Sequence, residues 1–182
     1  MIVSVVSVGK VEESILKCVG EALSSVFPRT SYTILGEDVP IPRRAYNPFR
    51  GQYRAGLILT RILEVAEALG ADRALGVLDV DIYAPRMNFI FGEAQCPGRA
   101  ALISLYRLRP EFYGFPRDMR LLKERAVKEA IHEIGHTLGL GHCSNPKCVM
   151  AFSLHIGMTD RKHPKFCEAC RLEVEKRIRQ IS

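Results

Sequence analysis

Residues 132–142 read HEIGHTLGLGH, and the reading of the whole chain turns on them. The surrounding pattern predicts a helix over residues 117–138, on which His132 and His136 stand four positions apart. That spacing puts them about 40° apart around the axis and one turn along, so both imidazoles can reach the same ion. Glu133 points to a neighbouring face, where it can hold the water of a metal site instead of the metal, as a general base must. Gly139 has no Cβ, so it can take a left-handed conformation and end the helix. The chain then turns back and offers His142 as a third nitrogen ligand. Three protein nitrogens leave the fourth tetrahedral position open, which distinguishes a catalytic zinc site from a structural one.

Four of the six cysteines follow at once, as Cys143, Cys148, Cys167 and Cys170. Two such pairs suit a closed four-thiolate zinc site, which stabilises and does not catalyse. The N-terminal MIVSVVSVGKVEES is apolar for only about eight residues and has no basic leader, so it reads as a strand and not as a secretion signal. Clustered cysteines in that context favour metal over disulfides. Cys18 fits the apolar face of the first helix, and Cys96 stands in a turn with no second thiol to partner it. No apolar run approaches the ~20 residues that span a bilayer. The expectation is a cytoplasmic protein with no membrane partner.

Outward from the motif, 182 residues suit a single domain, 1–182, in which 1–117 bears the sheet and 118–182 the active-site helix, the metal sites and the last helix. The 47% hydrophobic and 25% charged content excludes a disordered chain. Strands are predicted at 2–8, 31–35 and 73–83, with helices at 12–26 and 55–69 between them. This β-α-β-α-β order predicts an α/β fold with parallel strands. Residues 88–91 and 100–106 read as a hairpin, which makes the sheet mixed. The last helix is expected over 166–180. The formal charge of +6 comes from basic residues spread among carboxylates, so nucleic acid is not the expected partner.

The pattern HExxHxxGxxH followed by a methionine turn is the metzincin signature. With the third histidine followed directly by Cys-x4-Cys-x-Met and then Cys-x-x-Cys, residues 132–170 resemble the archaemetzincins, a family of zinc metallopeptidases found in archaea and vertebrates. The resemblance implies a metzincin-like α/β domain with a mixed sheet above the active-site helix, then a Met-turn and a C-terminal helix. It also implies two zinc ions per chain, one catalytic and one structural, and hydrolysis of peptides or unfolded proteins with Glu133 as the catalytic residue. Met150 becomes the Met-turn residue beneath the ligands. Some metzincins place a tyrosine two residues after that methionine; here the position is Phe152, which leaves the oxyanion without an assigned partner.

Weaker features complete the reading. His155 and His163 precede the last helix and could line a cleft. The segment 39–53, with Arg43, Arg44, Arg50 and nearby Arg54 among Tyr46, Phe49 and Tyr53, could bind a carboxylate or phosphate. Strand 100–106 could accept an extended peptide at its edge. Two other functions fit parts of the chain: a zinc-binding interaction module with a weak or blocked histidine site, and a basic zinc-ribbon-like nucleic-acid binder.

Overall fold

The first strand, β1 (Ile2–Val8), buries valines on both faces, Val3 and Val5 on one side and Val6 and Val8 on the other. Such a strand belongs inside a parallel sheet covered by helices on both sides. The computed structural model, which describes residues 1–181, has that architecture.

From β1 the chain runs through α1 (Glu13–Val26) into β2 (Ser31–Ile34), parallel to β1. A short hairpin follows, β3 (Tyr46–Asn47) and β4 (Gln52–Arg54), and then α2 (Ala55–Ala68) leads to β5 (Arg73–Leu78) on the other side of β1. Because β2 and β5 flank β1 on opposite sides, crossovers of one hand put α1 and α2 on opposite faces of the sheet. Ile15, Leu16, Val19 and Leu23 of α1 seal one face. Ile58, Leu59, Ile62 and Val65 of α2 seal the other. Then come β6 (Ile82–Tyr83), β7 (Gly92–Ala94) and β8 (Ala100–Ser104). The main sheet has the order β2-β1-β5-β8-β7, with β7 the antiparallel edge, while β3, β4 and β6 form a small second sheet. The long helix α3 (Met119–Thr137) packs beside α1 on the first face, and α4 (Ile156–Arg161) and α5 (Glu168–Arg179) close the chain. Among the described residues no helix is long and apolar enough to cross a membrane.

Three expectations need correction. The strand expected over 73–83 breaks after Leu78, because Asp79 and Asp81 leave the sheet to pair with Arg109 and Arg107, and Ile82–Tyr83 joins the second sheet. The hairpin partner of β8 is Gly92–Ala94 and not residues 88–91, which run alongside Ile82 and Ser104 by single hydrogen bonds. Finally, β8 is paired on both sides, so the free edge belongs to β7.

Candidate metal centre and active-site cleft

Asp118 starts α3 by accepting the Leu121 N–H at 2.9 Å, and the helix then runs under the sheet to Thr137. It ends as the glycine requires. Gly139 sits at φ 87°, and the Gly139 and Leu140 amides donate back to His136 and Gly135 carbonyls at 2.8 and 3.2 Å. This turn brings His142 back over the helix. One nitrogen from each of His132, His136 and His142 lies within 4.8 Å of the others, so the three could hold a metal ion.

The second ring nitrogen of two of them is already committed. His132 Nδ1 donates to Val149 O at 2.8 Å and His136 Nδ1 to Leu140 O at 2.7 Å. A carbonyl can only accept, so each ring carries its hydrogen on Nδ1 and presents a bare Nε2. Those two Nε2 atoms face each other at 3.0 Å. Two lone pairs converging so closely call for a cation between them, and the separation fits two Zn–N bonds of ~2.0–2.1 Å. Burial pushes all three imidazoles below the ordinary histidine value, His132 well below it. That shift favours the neutral form, the one able to bind a metal. His142 is exposed and packs against the ring of Phe152, with centroids 4.8 Å apart.

Glu133 is buried at the foot of the same site. Loss of water, with Glu129 and Glu93 nearby, raises its carboxyl well above the usual range, against the pull of Lys162. Its carboxylate lies against β7: a Cβ added at Gly92 would come within 2.6 Å of Glu133 Oε1. A cavity of about 330 Å³ joins these parts, lined by the three histidines, Glu129, Glu133, the whole of β7 and an apolar wall including Met87, Phe89, Phe152 and Leu154. Met150 is fully buried beneath, against Gly135 of α3, where a Cβ would sit 2.5 Å from its sulfur.

The sulfur atoms of Cys143, Cys148, Cys167 and Cys170 also lie within 4.8 Å of one another, a four-thiol group that could hold a metal ion. Cys167 is the N-cap of α5, and its thiol falls to about 7 under the influence of the Cys170 N–H and the neighbouring thiols, against the effect of burial. Cys170 moves up, chiefly by burial. Neither His155 nor His163 lines the cavity. Arg50 is not free for an anion, since its guanidinium binds Met87 O, Asn88 O and Gln52 and stacks over Tyr83 at 4.2 Å. It braces the segment that forms the cavity wall. Reading the chain alone missed Gly92, Glu129 and Lys162; only Glu129, one turn before Glu133 on the same helix, left a local signal.

Residues 33–176 match the model of peptidase family M54. The chain is 48% identical to the archaemetzincin of Methanocaldococcus jannaschii over 96% of this chain and 93% of that one. Its fold superposes on the crystal structure of the Methanopyrus kandleri archaemetzincin with a TM-score of 0.85 and 36% identity, covering 98% and 96% of the two chains. A zinc-dependent peptidase from Methanocorpusculum labreanum gives a TM-score of 0.83 at 30% identity, covering 94% and 99%. Fold and likeness together put the chain among the zinc metallopeptidases. Within that class it belongs to peptidase family M54, the archaemetzincins.

Proposed function

We propose that His132, His136 and His142 hold the catalytic zinc, that Glu133 is the general base, and that Cys143, Cys148, Cys167 and Cys170 hold a second, structural zinc. The observation that carries this reading is the pair of bare Nε2 atoms at 3.0 Å, opening onto the cavity that Glu133 lines. Zinc, when bound there, supplies Lewis-acid chemistry: it acidifies a water and polarises a carbonyl.

The chain's own residues do the rest. Glu133 takes a proton from the attacking water and returns it to the leaving amine, and burial and the neighbouring carboxylates favour its holding that proton between the two transfers. The free edge of β7 offers unpaired main-chain groups along the cavity, so an extended substrate adds there as a further strand. Gly92 lets that strand lie against Glu133. The apolar wall of Met87, Phe89, Phe152 and Leu154 receives a substrate side chain. Phe152 has no hydroxyl, so its part is to orient His142 by ring packing and to shape the cavity.

The test is digestion of a peptide library, read by mass spectrometry on the zinc-loaded protein, after chelation, and after zinc is restored. The expected result is cleavage that disappears and returns with the metal, at bonds flanked by apolar side chains. Cleavage that survives chelation overturns the proposal.

A further inference from the structure

A lysine with no place in the mechanism lies buried behind the histidine site. Lys162 is 3% exposed and Glu129, its acidic partner, also 3%. The Lys162 ammonium donates to Ala151 O at 2.9 Å and, at longer range, to Glu129 Oε1 at 3.4 Å and Val149 O at 3.5 Å. Thr159 Oγ1 donates to the same Glu129 oxygen at 3.0 Å.

These partners define the geometry. The three successive carbonyls of the Met-turn are each engaged. Val149 O receives His132 Nδ1–H at 2.8 Å. Met150 O receives the amide of Cys143, next to His142, at 2.9 Å. Ala151 O is held by Lys162. Glu129 stands on α3, the helix that carries His132. Lys162 therefore ties together the element that bears His132 and the turn that bears its acceptor.

A buried ion pair is weak evidence of stabilisation, because apolar residues of similar size often serve the fold as well or better. Placing a cation next to a dication site is a further cost, which Glu129 and the two carbonyls offset. The arrangement therefore needs an explanation other than stability. We infer that Lys162, with Glu129, is a positioning residue for His132: by holding the Ala151 carbonyl it fixes the turn that carries Val149 O and, through that acceptor, the orientation and tautomer of the ring. This rests on the proposal that the three histidines bind metal. Partners that orient a metal-bound histidine typically contribute ~10–100-fold to metal affinity.

The experiment uses the full chain with cobalt(II) replacing zinc, since only the cysteine site gives thiolate-to-metal charge transfer and the two sites are read separately. Lys162→Met is expected to weaken the histidine site ~10–100-fold and leave the cysteine site unchanged. Because that variant strands the Glu129 charge and can lose stability for that reason alone, a double variant, Glu129→Gln with Lys162→Met, removes both charges. The double variant is expected to recover thermal stability but not histidine-site affinity. Recovery of affinity to within twofold of wild type, in either variant, overturns the inference and leaves the pair a structural one. A wild-type protein that takes no cobalt at the histidines overturns the metal assignment itself, and this inference with it.

Discussion

Two carbonyls, Val149 O and Leu140 O, hold the ring hydrogens of His132 and His136 on Nδ1 and leave both Nε2 atoms bare for the proposed metal. Burial adds to this by lowering the three imidazoles from the ordinary 6.5. The sign follows directly. Ordinary histidines become cations as pH falls through 6.5 and surrender their metal to protons, whereas groups with a lowered folded pKa stay neutral further down. Metal at the histidine site should therefore persist through pH 6.5 and be lost only below it, as measured by chelator competition against pH; release that begins above 6.5 contradicts the burial argument. A second prediction concerns Gly92. An added methyl would press within 2.6 Å of Glu133 Oε1 and 2.7 Å of the Leu102 carbonyl, and the latter is backbone that cannot swing away. Gly92→Ala should lower kcat on the order of 10²-fold, the cost of a displacement near 1 Å, with histidine-site metal affinity unchanged. Unaltered kcat would show that β7 does not set the position of Glu133.

At the level of elements, α3 and the Met-turn meet at Gly135, where a Cβ would lie 2.5 Å from Met150 Sδ. Gly135→Ala should destabilise the protein by ~1–3 kcal/mol in denaturant unfolding, the usual cost of overpacking a filled core. No change would mean that the two elements are less tightly packed than their contact implies. The helices α1, α2, α3 and α5 could be read in the chain because apolar spacing and terminal glycines are local signals, and the histidine and cysteine sets because ligand spacing is local too. What could not be read depends on distant partners. The alternation through Asp79 and Asp81 looks like one strand until Arg107 and Arg109, nearly thirty residues on, draw both carboxylates out of the sheet. Phe89, Ile90 and Phe91 are a better strand by composition than Gly92–Ala94, yet β7 forms where a glycine lets the backbone approach Glu133. α4 is six residues long, too short for a periodic signal, and Lys162 acquires its partners only through the fold.

For the whole molecule, the question is what fastens the C-terminal helix. α5 buries Val174 and Ile178, worth ~1.5–3 kcal/mol each, and ordering its twelve residues costs ~1–2 kcal/mol apiece. Packing does not cover that cost. One zinc on the four thiolates, as proposed, would add typically ~10–16 kcal/mol and cover it. Replacing Cys167 and Cys170 by Ala should therefore lower Tm by at least ~10 °C and expose α5 to limited proteolysis. It should also loosen the histidine site, since Cys143 follows His142 directly and binds the Met-turn through its amide. An unchanged Tm would mean that the cysteine cluster does not anchor the helix. Metal binding and proton transfer are proposed to fall to different residues of one cleft, and one measurement separates them most directly: peptide turnover by Glu133→Gln after its metal content has been matched to wild type. The prediction is equal zinc and at least ~10²-fold less hydrolysis. Equal zinc with wild-type hydrolysis would contradict it.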